Sequence, residues 1–204
     1  MSHDFFRAPV TTMTPNQLAR RKKLTEAVID IVSETGPENL QMREVAERSG
    51  VALGTAYRYF SSKEHLLAAA WADWHGRLTD RVMAEMSARS GKKPEDTACE
   101  RVLAFVEREM RAFQRNPNFA RLAVNLEASS DPYVSETLEE IAAANHQTMR
   151  ALMSGVPEHV ARPAHVAIAS TLGMGLISWT TGRSTLADTL RDIADVTRHV
   201  LQNH

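Results

Sequence analysis

Apolar residues return every three or four positions along this chain, segment after segment, and nowhere alternate with polar ones over a strand's length. That spacing predicts helices almost throughout. Thr14-Pro15-Asn16-Gln17 offers a start: a hydroxyl cap, proline at the first helical position, and glutamine three residues after the threonine. The helix behind it gathers Leu24, Ala27, Val28 and Ile31 on one side and stops at Gly36-Pro37. A short helix over about 42–48 ends at Ser49-Gly50, and another covers about 53–59. Ser61-Ser62-Lys63-Glu64 reads as a second capping box. It opens a long helix to about Met86 with the stripe Leu67, Trp71, Trp74, Leu78 and Val82. After a loop at Ser90-Gly91-Lys92-Lys93-Pro94, helices are predicted over about 95–115, 118–128, 133–154, 161–181 and 186–202.

These segments describe an all-α chain. Three helices in the first sixty residues followed by a long one suggest an N-terminal helix-turn-helix domain over 14–62. A mobile arm over 1–13 is expected before it, and a C-terminal helical ligand-binding and dimerisation domain over 63–204 after it. The last two helices carry the dimer expectation. Val166, Ile168, Leu172, Met174, Leu176, Ile177 and Trp179 surround most of one helix, so more than one face needs cover. Gly173 and Gly175 would admit a close neighbour, and Leu186, Leu190, Ile193, Val196 and Val200 stripe the final helix. Two such helices from each of two copies would build a four-helix interface. Burial entirely within one chain is the alternative.

Composition narrows the classes. With 43% hydrophobic and 24% charged residues the chain has a globular balance. The single Cys99 cannot form an internal disulfide and suits a reducing, cytoplasmic setting. No run approaches the roughly 18 consecutive apolar residues of a membrane span. The opening MSHDFFRAPVTT lacks the basic and apolar regions of a signal peptide. A net charge of −1 does not mark a nucleic-acid binder, and through Glu64 nine Lys and Arg face eight Asp and Glu. Placement matters more. Arg20, Arg21, Lys22 and Lys23 form one basic run, with Arg43, Arg58 and Lys63 at wider spacing.

The turn at Ser49-Gly50-Val51 supplies the glycine that lets one helix end and the next begin at an angle. The second helix of such a pair enters the major groove by its leading residues, here Ala52, Leu53, Gly54 and Thr55. Small Ala52 and Gly54 let the backbone approach closely, and Thr55 suits a phosphate or a base edge. Tyr57 and Tyr59 offer rigid hydroxyls for phosphate oxygens, and Arg58 and Lys63 add charge. VALGTAYRYFSSKEHLL, preceded by Gln41-Met42-Arg43-Glu44-Val45-Ala46, resembles the TetR family of bacterial repressors over about residues 24–67. Ala56 and Met42 depart mildly from its pattern. The resemblance implies a dimer on palindromic double-stranded DNA and a sensor whose small-molecule inducer releases it. Arg43 would reach a base or phosphate, and Thr55, Tyr57, Tyr59 and Lys63 would line the reading surface. A narrower resemblance, from QMREVAERSGVALGTAYRYFSSKEHLL and Gln114-Arg115-Asn116-Pro117, is to KstR-type repressors of steroid catabolism, which respond to steroid CoA thioesters.

Candidate inducer contacts are Trp71, Trp74, Phe105, Glu109, Phe113, Leu126, Asn145, Met149 and Trp179. Glu109 and Asn145 lie on largely apolar stripes, and a buried polar group needs a partner, whether ligand, arginine or water. Trp71 and Trp74 fit plain core as well, and both roles coexist if the long helix walls a cavity. The eight histidines show no HxxxH spacing, and no Gly-rich phosphate loop or G-x-S-x-G appears. No metal, cofactor or catalytic residue is expected. Two other classes remain open: an architectural DNA-binding protein without an inducer, and a helical enzyme or carrier with a vestigial reader.

Overall fold

A computed structural model describes residues 13–90, 97–202 and 204, with the side chains of 89 and 90 outside the description. The expected arm lies outside these residues except for Met13, and most of the expected loop at 90–94 does too. The described elements are all helices: α1 (Pro15–Thr35), α2 (Met42–Ser49), α3 (Leu53–Tyr59), α4 (Lys63–Ser90), α5 (Ala98–Arg115), α6 (Pro117–Glu127), α7 (Pro132–Leu152), α8 (Glu158–Thr180) and α9 (Leu186–Val200).

Local chemistry sets the boundaries. Thr14 and Gln17 form the reciprocal capping box expected at the start of α1. Gly50 takes the left-handed conformation, φ 66°, that ends α2 and frees the chain to start α3. The cap of α4 differs from expectation. Ser62, not Ser61, accepts the His65 N–H, and the ring of His65 takes the place expected for Glu64 by accepting the Ser61 N–H at Nδ1. α4 also runs to Ser90 rather than Met86. α5 starts at Ala98 rather than 95, because Thr97 and Glu100 make a capping box. Asp131 caps α7, with Pro132 at its first position, and α8 begins at Glu158, keeping Pro163 inside it.

One apolar core joins the first three helices to the rest, from Leu24, Val28 and Ile31 through Phe60 and Leu66 to Leu122, Phe113 and Leu201. The expected boundary at 62/63 therefore falls at a helix start inside continuous packing. α4 is central and touches α1, α5, α6 and α7. α8 and α9 pack on each other at the far end. Of the α8 residues expected to be covered, only Ile168 and Leu176 are buried; Val166 and Met174 stand 59% and 61% exposed. The two glycines have separate roles. A β-carbon on Gly175 would meet Thr189 Cγ2 at 2.4 Å, whereas one on Gly173 would meet nothing within 4 Å. Gly175 serves packing within the chain, and Gly173 lies open beside the exposed stripe. By length and mean hydropathy α8 also resembles a membrane span. It qualifies through Ala, Val, Ile, Leu and Met interspersed with Gly, Ser and Thr, not through the consecutive apolar run sought in the sequence.

Candidate nucleic-acid interface and sensor interior

α3 is anchored from behind. Val51, Ala56 and Phe60 are buried, which leaves Ala52, Gly54, Tyr57 and Arg58 exposed and Leu53, Thr55 and Tyr59 half-buried. Tyr57, at 43%, is among the most exposed large hydrophobic side chains described. A β-carbon on Gly54 would meet nothing within 4 Å, so packing does not demand glycine there. What glycine leaves is clearance on the outer face. Arg43 is exposed on α2. Lys63 is placed differently from the free cation expected, since its Nζ lies 3.4 Å from the Glu38 carbonyl and ties the start of α4 to the α1–α2 connection. Arg48, which the sequence reading passed over, is held by Glu34 and Glu44 at 2.7 and 3.1 Å.

Two polar seams join this surface to the remaining helices. Along the first, α6 grips the end of α1. Asn118 Nδ2 donates to the Val32 and Ser33 carbonyls at 2.8 and 3.1 Å, and Asn116 Nδ2 donates to Ser33 Oγ. Gly36, at φ 87°, passes so near Arg121 that a β-carbon would lie 2.7 Å from its guanidinium. The second seam joins the α3–α4 turn to the start of α7, where Ser62 Oγ donates to Asp131 Oδ2 at 2.5 Å and the rings of His65 and Tyr133 stack at 4.7 Å.

Trp71, Trp74 and Phe113 come together, with ring centroids 5.4–5.9 Å apart. Phe119, which sequence reasoning missed, stacks on Trp74 at 4.1 Å and 6°. Phe105, Leu126 and Met149 are buried. Asn145 and Trp179 are half-buried, and no described ring contact joins Trp179 to the aromatic group. Glu109 is 6% exposed and finds protein partners: His75 Nε2 and Thr79 Oγ1 each lie 3.4 Å from its Oε1. His75 was overlooked, although it stands one turn past Trp71. Both contacts are longer than the usual 2.7–2.9 Å of a charge-assisted hydrogen bond. On α7 and α8, His146 and His165 face each other at 5.3 Å; burial, then His146, holds His165 below the ordinary imidazole range.

Comparison with known proteins follows this geometry. Residues 24–70 match the family described as bacterial regulatory proteins, tetR family. The chain is 32% identical over 177 residues to the HTH-type transcriptional repressor KstR of Mycobacterium tuberculosis, covering 84% of this chain and 76% of that one. A TetR transcriptional regulator from Rhodococcus sp. RHA1 superimposes with a TM-score of 0.75 at 26% identity, covering 92% of this chain and 98% of that one. The regulator FadR from Bacillus subtilis, solved in complex with stearoyl-CoA, has the same fold: TM-score 0.65 at 18% identity, covering 90% and 98%.

Proposed function

The chain belongs to the tetR family of bacterial regulatory proteins, and from that premise we propose a homodimeric repressor released from a palindromic operator by an acyl- or steroid-CoA-like inducer. The observation that carries the reading is the outward face of residues 52–59, with Gly54, Tyr57 and Arg58 presented over buried Ala56 and Phe60. Leu53, Gly54 and Thr55 enter the major groove behind Ala52. Arg43, Tyr57, Arg58, Tyr59 and Lys63 serve the flanking phosphates. Lys63 reaches DNA by leaving its contact with Glu38.

A second copy covers the stripe of Val166, Gly173 and Met174, with α8 and α9 of each copy forming the interface. That pairing sets two reading helices about 34–36 Å apart, one turn of B-DNA. The inducer lies against α4 among Trp71, Trp74, Phe105, Glu109, Phe113, Leu126 and Met149, with Asn145 and Trp179 from α7 and α8. The KstR-type resemblance and the stearoyl-CoA of a same-fold regulator motivate its class. Inducer binding tilts α4 and changes the separation of the reading helices. Moving the dimer from mostly bound to mostly free requires a preference of about 5 kcal/mol for the released arrangement. Such a regulator acts in the cytoplasm and has no catalytic step.

The test takes a duplex selected by the protein from a random pool and follows its fluorescence anisotropy. An inverted repeat, bound by two chains and released by stearoyl-CoA or a steroid CoA thioester, is expected. Binding that ignores both CoA classes contradicts the inducer assignment, and selection of a sequence without two-fold symmetry contradicts the dimeric operator.

A further inference from the structure

Two helix starts meet where the α3–α4 turn touches α7, and a single carboxylate serves both. Asp131 Oδ1 accepts the Tyr133 N–H at 2.8 Å and caps α7. Its Oδ2 accepts the Ser62 hydroxyl, whose oxygen accepts the His65 N–H at 2.9 Å and caps α4. Both helix N-termini carry positive partial charge, so a carboxylate between them is favoured. Burial draws the Asp131 carboxyl upward, but hydrogen bonds from Ser62, Tyr133 and Val134 and the nearby His65 hold it below its usual value. In the first turn of α4, the His65 ring lies nearly parallel to Tyr133, 8° between planes, with Phe60 edge-on at 5.2 Å. The Arg21 guanidinium lies 4.5 Å over the other side of the contact, on the Phe60 ring. The chain of contacts therefore runs from α7 through His65 and Phe60 to Arg21 on α1, and Phe60 directly follows α3.

We propose that Asp131, His65 and Tyr133 are positioning residues for DNA binding, forming a latch that fixes the tilt of the reading surface relative to the sensor. The inference rests on the reading of α3 as the DNA-contacting helix and adds the element that sets its angle. The α6 seam holds the far end of α1 and α1 packs along α4, so with the latch lost the tilt of the reading helices is set by those contacts alone. α7 is one uninterrupted helix that spans about 21 Å from Asn145 back to Asp131 at 1.5 Å per residue. A displacement among its sensor-side residues thus arrives at Asp131 and Tyr133. The described partners of these two side chains, Ser62 and His65, are not among the residues assigned to DNA.

The experiment uses full-length protein with Cys99→Ser and spin labels at Glu47→Cys on α2 and Glu107→Cys on α5, diluted with unlabelled chain. Asp131→Ser keeps a cap for α7 but is too short to reach both helices, and Tyr133→Leu removes the stack. Tyr133→Phe retains it. The unaltered latch and Tyr133→Phe should give one narrow intrachain distance distribution. Asp131→Ser with Tyr133→Leu should broaden or shift it by several ångströms and weaken binding to the selected duplex at least tenfold, with helicity by circular dichroism unchanged. An unchanged distribution overturns the latch. If the unaltered chain retained no duplex, the function reading would fall, and the distance measurement would still judge the latch. Should the paired variant lose helicity, Asp131→Ser alone carries the same comparison.

Discussion

Thr189 leans on Gly175 so closely that the α8–α9 contact has no room for a methyl group; a β-carbon there would meet Cγ2 at 2.4 Å. Thr189 itself is 2% exposed, and its hydroxyl donates to the Gly175 carbonyl at 3.3 Å. Gly175→Ala should therefore cost about 1–3 kcal/mol by overpacking. A chain of this size loses roughly 2–4 °C per kcal/mol, so thermal unfolding should fall by several degrees. Gly173→Ala, with nothing near its β-carbon, should raise the stability of a single chain by about 0.5–1 kcal/mol, as alanine does over glycine inside a helix. Equal effects at the two glycines would contradict the division between an internal contact and an open face.

The open face makes its own prediction. Val166→Asp with Met174→Asp places charge where side chains are already 59% and 61% exposed in one chain, so the monomer fold should survive. Sedimentation should shift from the dimer to the monomer, and operator binding should be lost with it. A dimer that tolerates both carboxylates places the interface elsewhere.

The buried Glu109 and His75 pair should behave asymmetrically. Their side chains are 7% and 12% exposed, so removing one partner strands the other in an aromatic surround. His75→Leu should cost roughly 1–3 kcal/mol by leaving Glu109 with Thr79 alone, while His75→Leu with Glu109→Leu should recover much of it. Denaturant unfolding of the two single variants and the double variant reads the coupling. Additive losses would mean that the two groups do not depend on each other.

Acid should weaken the fold through its histidines. Burial, then Arg21, holds His65 below the ordinary value of 6.5, outweighing Asp131 and Glu136; burial and His146 do the same for His165. A depressed imidazole binds fewer protons folded than unfolded, so stability rises with pH. The contribution is full above about 6.5 and is lost as pH falls from there toward the lower folded values. Thermal melts from pH 7.5 to 5 should show this loss, and His65→Phe should flatten part of it. An unaltered slope in that variant would remove His65 from the account.

Much of this architecture was legible because helix ends announce themselves locally. Thr14 with Gln17, Gly36 before Pro37, and Gly50 before Val51 each combine a backbone demand with the residue that meets it. Helix α3 was legible for the same reason, since its turn, its small leading residues and its aromatic pair lie within eleven positions. The capping rule also misled: Ser61 with Glu64 satisfies the pattern, yet a histidine ring does the carboxylate's work one position later. Thr97 with Glu100 satisfies it too and was passed over beside a proline-bearing loop. Contacts between distant segments left no such trace. Ser62 and Asp131 are 69 positions apart, Phe119 meets Trp74 across helices, and Lys63 turns toward a carbonyl rather than outward. Periodicity assigns a side chain to a face, but only packing chooses its partner.

A titration of the selected duplex against salt, run with the unaltered chain and with Gly54→Leu and Tyr57→Ala, tests the role of α3 most directly. With on the order of 6–10 phosphates neutralised, affinity should fall about 10³–10⁵-fold between 50 and 200 mM salt. Gly54→Leu, which keeps the fold because nothing surrounds its β-carbon, should abolish sequence preference, and Tyr57→Ala should weaken all sequences alike. Undiminished, sequence-selective binding in both variants would contradict α3 as the element that reads DNA.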